Sequence, residues 1–290
     1  MSTRLELANV GGRACIAREG RVIDIERRSA GMFTHDLMAA VGRWDELRVW
    51  ARDIQPQEGD AVLEPTRLGA CVPRPSQVFA IGLNYRDHAK ETGMQVPAAP
   101  MVFTKFASCL AGPRASIPLT SAAVDWEIEL VAVIGQRAHL LDESNALEAV
   151  AGYCVGQDIS DRQLQFNDTP PQFSLSKSAT SYGPIGPTLV SRVDDEGVAL
   201  DLADLELQCE VNGVRMQHGW SRDMLFSLPK ILVHLSRYVT LKPGDVIFTG
   251  TPPGAGIGHK PPVFLKPGDV IRSTITGLGT LENACIPSLG

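Results

Sequence analysis

The sequence predicts an α+β chain, predominantly β, on three observations. Glycine (27 residues) and proline (20) punctuate the 290 residues often enough to favour strands and turns over a helical bundle. Apolar runs are short, and helical spacing is confined to a few segments. The heptapeptide Leu-Lys-Pro-Gly-Asp-Val-Ile occurs at 241–247 and again at 265–271. Pro fixes one φ of a type II turn and Gly supplies the positive one, so each copy reads as a turn leading into a strand. Two copies make two similar hairpin starts, not a repeat architecture.

Taken in order, residues 13–25 read as a hairpin, with Ala14 and Ile16 before the turn Arg18-Glu19-Gly20 and Val22, Ile23 and Ile25 after it. Leu37, Val41, Trp44 and Leu47 have helical spacing, weakened by Gly42. Prolines 56, 65, 73 and 75, with Gly59 and Gly69, read as a linker. It divides a small N-terminal domain with its linker, residues 1–76, from a larger domain, residues 77–290. The larger domain opens with the strand Val78–Gly82 and a polar segment, Asn84–Glu91. Asp125–Gly135 is the clearest strand, Asp142–Val150 resembles a capped helix, and Gly152–Val155 is a further strand. Ile231, Leu232, Leu235 and Tyr238 predict a helix with Ser227 as N-cap and Pro229 in its first turn.

Composition excludes several functions. Lys and Arg (27) are fewer than Asp and Glu (33), a net charge of −6, so no basic face for nucleic acid is expected. Aromatics at 6% argue against a base-stacking platform. Hydrophobic (44%) and charged (21%) fractions are those of a globular chain, so long disorder is not expected. The six cysteines include no CxxC pair, which argues against a zinc knuckle or a disulfide framework. The N-terminus lacks the apolar core of a signal peptide, and no apolar run approaches the roughly 18 residues of a membrane span. A cytoplasmic protein with no membrane partner is expected.

The chemistry is concentrated in carboxylates. In the strand 125–134, Glu127 and Glu129 stand two apart, which places both on one face, opposite Trp126, Ile128 and Leu130. The apolar run that follows suggests a strand covered on both sides, where two adjacent carboxylates would repel and be desolvated. A divalent cation resolves both problems; taken alone, the pair is better read as a strand end facing water. Asp158, at the end of the apolar strand from Gly152, offers a third oxygen ligand. Carboxylates without His or Cys favour Mg²⁺ or Mn²⁺, with Ca²⁺ a further candidate. His88 and Glu91, three apart, would share a helix face, so that the carboxylate orients an imidazole able to activate water. A surface helix pair has the same spacing. The loop Thr249–Gly256 is glycine-rich but carries neither nucleotide fingerprint. By composition Lys177, in Leu175–Gly186, reads as a solvated loop lysine.

Together these pieces resemble the fumarylacetoacetate hydrolase family. The match runs in order through Gly82-Leu-Asn-Tyr-Arg-Asp-His88, Phe103-Thr-Lys105, Asp125-Trp-Glu-Ile-Glu129, Gly152-Tyr to Asp158, Lys177-Ser178 with Gly183–Pro187, Val211-Asn-Gly213, Pro243-Gly-Asp245 and Thr249-Gly-Thr-Pro252. The resemblance implies a mixed β-sandwich roll with a small N-terminal domain, assembled as a homodimer. It implies that Glu127, Glu129 and Asp158 ligate the metal and that His88 and Glu91 are a water-activating dyad on a segment that is often a lid. Lys177 and Gln165 would contact the reacting end of the substrate, and Thr251 would also contact substrate. Where many relatives read Gly-Lys-Ser-Phe-Asp-Thr-Phe, this chain has Ser176 for the Gly and Ala179, Thr180, Ser181 and Tyr182 for the last four residues. Phe166–Phe173 reads as a specificity loop.

The implied activity is hydrolysis of a carbon–carbon bond in a 2,4-dioxo acid, of acylpyruvate or fumarylacetoacetate type, with release of a pyruvate-like product. The alternatives are decarboxylation of an oxaloacetate-like acid or isomerisation of an unsaturated dioic acid through a metal-stabilised enolate, and a non-catalytic family member.

Overall fold

The computed structural model describes residues 4–288. It is α+β and mostly β, as the punctuation by Gly and Pro predicts. An eleven-stranded mixed sheet runs in the order Ala61–Val62, Arg21–Asp24, Arg13–Arg18, Arg4–Val10, Gly183–Asp194, Val150–Gln157, Ile128–Ile134, Val246–Phe248, Val78–Gly82 and Met101–Thr104, with Leu110–Ala111 beside Gly183–Asp194. The strands before the proline-rich segment are thus continuous with those after it, through the antiparallel pairing of Arg4–Val10 with Gly183–Asp194. A five-stranded sheet (Val214–Trp220, Glu206–Val211, Val270–Ile275, Gly279–Ile286, Ile117–Pro118) packs against it.

The strand Ile128–Ile134 is covered on both faces, as its uninterrupted apolar run requires. Ile128, Leu130, Ala132 and Ile134 join a core with Leu207, Ile271 and Leu281 of the smaller sheet. Val131 and Val133 face the other way, into a core built with Val41, Trp44 and Leu47. Among the described residues, no helix is long and apolar enough to cross a membrane.

The two heptapeptides form the same turn. Gly244 (φ +85°) and Gly268 (φ +95°) hold the positive φ, and the Asp245 and Asp269 amides donate to the Lys242 and Lys266 carbonyls at 3.0 Å each. The expected hairpin at 13–25 is present, pairing Cys15 with Asp24 and Ile16 with Ile23.

Three expectations are corrected. The helix over 37–47 is two, Leu37–Gly42 and Trp44–Ala51, broken where Arg43 leaves helical geometry directly after the glycine. The capped helix at 142–150 is only a 3₁₀ turn, Ala146–Ala149, because Val150 is drawn into the long strand beside Ile134. The single strand 125–134 is two: Val124–Asp125 pairs with Ser160–Asp161, and Ile128–Ile134 belongs to the main sheet.

Candidate active site

The break in that strand builds the site. Between the two pieces the Glu127 and Ile128 amides leave the ladder, and buried side-chain amides replace it: Gln157 Oε1 accepts from Glu127 N–H and Gln217 Oε1 from Ile128 N–H, both at 2.9 Å. Gln217 passes the connection on, donating to Thr251 Oγ1 and to the Pro252 carbonyl at 2.8 Å. Thr251, expected at the substrate, is buried and also donates to the Ile128 carbonyl at 2.8 Å. The polar kink is therefore rigid although it has left the sheet.

Glu127, Glu129 and Asp158 converge at this kink, each buried, with one oxygen of each within 4.8 Å of the others. Register explains it: Glu129 lies opposite Gly156 and Ile128 opposite Gln157, so Asp158 follows at the end of the neighbouring strand. Three buried cations stand on two of the three carboxylates. Lys177, which composition places in a solvated loop, is 2% exposed; its ammonium lies 2.7 Å from Glu127 Oε2, Asp158 Oδ2 and Ser160 Oγ. Lys105 Nζ donates to Asp158 Oδ1 at 2.6 Å and to the carbonyls of Lys177 and Tyr182. Arg162 bridges Asp125 (2.8 Å) and Glu127 (2.5 Å) and donates to Gln165 Oε1 at 2.9 Å. Because Arg162 is a pure donor, the Gln165 oxygen faces it and the Gln165 amide nitrogen is left for the cleft.

Glu129 is the exception. It is 2% exposed, its Oε2 accepts from the Gly250 amide at 2.7 Å, and among the described residues no cation pairs with it. Burial first, and then the Asp158 and Glu127 charges, push its carboxyl well above the usual carboxylate range. Burial acts the same way on Glu127, but Lys177 and Arg162 outweigh it and hold that carboxyl low. The two carboxyls part because Lys177 and Arg162 both pair with Glu127 and neither pairs with Glu129. A cluster of hard oxygen donors with one uncompensated buried carboxylate fits a divalent ion such as Mg²⁺ or Mn²⁺.

His88 faces this cluster. On the helix Arg86–Glu91 its Nδ1 lies 2.7 Å from Glu91 Oε1, and its Nε2 is 3.9 Å from Glu127 Oε1. Glu91 is fixed in turn, since the Gly254 amide donates to both of its oxygens at 2.9 and 3.1 Å. A carboxylate only accepts, so Nδ1 carries the proton and Nε2 presents its lone pair to the cleft. The glycine-rich loop is tied down by Asp125, which accepts from the Gly256 amide at 2.6 Å and from Ile257 at 3.0 Å. Gly254 has φ +102°, and a Cβ there would stand 2.0 Å from the Met216 carbonyl oxygen, so this close approach requires glycine.

The cleft is lined by all eight residues proposed from sequence except Glu91, which stands behind His88. Both ends of the expected specificity loop, Phe166 and Phe173, are on its wall. Lys105, Arg162, Asp125 and Gln217 were not given roles by the sequence. Asp125 and Lys105 lie within the motifs quoted above, but nothing in the local pattern marks Arg162 or Gln217, whose partners come from distant segments.

Known proteins resemble the chain over most of its length. The family model described as fumarylacetoacetate (FAA) hydrolase C-terminal matches residues 77–286. A candidate hydrolase of Burkholderia ambifaria is 47% identical over 231 residues, 79% of this chain and 80% of its own. Among solved structures, a protein from Mycobacterium abscessus described as a 2-hydroxyhepta-2,4-diene-1,7-dioate isomerase has a TM-score of 0.82 at 26% identity, covering 99% of this chain and 100% of its own. Maleylpyruvate hydrolase from Sphingobium sp. SYK-6, in complex with manganese(II) and pyruvate, has a TM-score of 0.79 at 26% identity, covering 98% and 99%.

Proposed function

The chain belongs to the fumarylacetoacetate hydrolase family, and on that premise we propose that it is a divalent-metal-dependent hydrolase that cleaves a carbon–carbon bond in a 2,4-dioxo acid and releases pyruvate. The observation that carries the reading is the convergence of three buried carboxylates opposite a carboxylate-oriented histidine. Glu127, Glu129 and Asp158 would hold the ion, which when bound supplies Lewis acidity at the 2-oxo acid end of the substrate.

The remaining steps belong to the chain's own groups. His88 Nε2 takes a proton from water, and the resulting hydroxide adds to the C4 carbonyl. The C3–C4 bond then breaks, leaving a carboxylic acid and the enolate of pyruvate, and the proton held by His88 returns to C3 of that enolate. Glu91 keeps the imidazole in the required tautomer and stabilises its charged form. The Gln165 amide and the Lys177 charge oppose the negative charge that develops on the attacked oxygen.

A second reading, isomerisation of an unsaturated dioic acid, is supported by the isomerase among the structural neighbours. Product analysis separates the two. With an acylpyruvate and Mg²⁺ or Mn²⁺, the expected result is stoichiometric pyruvate, lost on chelation with EDTA and restored by either ion. Turnover without pyruvate contradicts hydrolysis, and undiminished turnover in EDTA contradicts the metal.

A further inference from the structure

The cleft lining falls into two sets, and their difference selects the substrate's distal end. The polar set is the carboxylates, His88 and the two cations that line the cleft, Lys177 and Arg162. The apolar set is Ile81, Met94, Phe103, Phe166, Phe173 and Ile257. Phe103 and Phe173 pack together with centroids 5.5 Å apart, and Phe103 joins the two sets, its ring 5.4 Å from Lys177 Nζ. The rim loop Phe166–Phe173 brings no Lys, Arg or His, and its one ionisable residue, Asp168, is acidic.

Both cations are already engaged within the polar set. The three N–H bonds of Lys177 point to Glu127, Asp158 and Ser160, and Arg162 is held by Asp125, Glu127 and Gln165. A second carboxylate at the far end of a substrate would lose its water against the aromatic wall with no cation to replace it. An alkyl or aryl group there would instead bury apolar surface.

We infer that the substrates of this cleft are monocarboxylic 2,4-dioxo acids whose acyl group is apolar, not dioic acids of the kind that the name of the isomerase neighbour specifies. This rests on the hydrolase reading and goes beyond it, because that reading is indifferent to the distal group.

The test compares 2,4-dioxooctanoate with 2,4-dioxooctanedioate, equal in length and differing only in a terminal methyl or carboxylate, with Mg²⁺ present. The expected kcat/KM is at least about tenfold higher for the monoacid. Phe173→Arg, which places a cation on the wall, should narrow or reverse the ratio. An equal or higher kcat/KM for the dioate, or a ratio that Phe173→Arg leaves unmoved, overturns the inference while the hydrolase reading stands. Turnover of neither compound overturns the hydrolase reading. The wall is then tested by calorimetry with 2-oxooctanoate and 2-oxooctanedioate, where tighter binding of the monoacid supports the inference and equal or tighter binding of the dioate, or binding of neither, overturns it.

Discussion

His88→Ala is expected to lower kcat for an acylpyruvate by about 10²–10⁴-fold, the usual contribution of a positioned general base, and to leave the affinity for Mg²⁺ nearly unchanged. The argument is positional. His88 is the imidazole of the cleft; its Nδ1 is bound to Glu91, Glu91 is bound to the Gly254 amide, and the loop carrying Gly254 is tied to Asp125. Each link fixes the next, so Nε2 is presented with little freedom left to lose. His88 Nε2 stands 3.9 Å from Glu127 Oε1, within ion-pair range once the imidazole takes up a proton. Steady-state kinetics beside a Mg²⁺ titration read both quantities. A variant that keeps more than about a third of its activity would contradict water activation by His88 and favour an isomerase or decarboxylase, whose chemistry needs no activated water.

Lys177→Met is expected to damage both stability and rate. The ammonium is the shared cation of Glu127 and Asp158, and removing one member of a buried, hydrogen-bonded charge group costs roughly 3–5 kcal/mol. Here the loss should fall towards the lower end, because Lys105 still pairs with Asp158 and Arg162 with Glu127. Urea unfolding in metal-free buffer measures it, and saturating Mg²⁺ should recover part of it, since binding to the folded state alone adds stability. The rate should drop by about 10²–10³-fold, as for loss of one group that stabilises the developing oxyanion. Wild-type stability and a kcat within threefold of wild type would show that Lys177 is neither the charge partner nor part of the chemistry.

How much was legible in the sequence depended on whether a signal was local. The strand Val78–Gly82, the hairpin at 13–25 and the two Lys-Pro-Gly-Asp turns are written in a few adjacent residues, and the structure contains them. Glu127 and Glu129 were placed together by two-residue alternation. The structure brings them together at a break in that strand, where Gln157 and Gln217 hold the backbone from elsewhere in the chain. The helix breaks at Gly42, where the sequence already weakens it, whereas the short turn at Ala146–Ala149 shows strand pairing at Val150 overriding a local pattern. Lys177 is the clearest failure of composition: a segment of Ser, Ala and Thr reads as solvated, yet its lysine is buried because two carboxylates from other strands meet it. Only the resemblance to a family marked it. Arg162 had no signal of either kind, because its role depends on Asp125 and Glu127 lying 37 and 35 residues away along the chain.

The account rests on a divalent ion held by Glu127, Glu129 and Asp158, and Glu129 is the ligand whose replacement disturbs least else. Its polar partner in the protein is the Gly250 amide, which a glutamine can also serve, and no ion pair among the described residues depends on it. The direct measurement is calorimetric titration of Mg²⁺ or Mn²⁺ into the wild-type protein and into Glu129→Gln. The expected result is one ion per chain for wild type, with affinity lowered by at least about a hundredfold in the variant, beyond the 10–100-fold typical of groups that merely support a ligand, while its thermal unfolding is unchanged or raised. Equal affinity in the two proteins, or no binding to wild type, would contradict the metal centre.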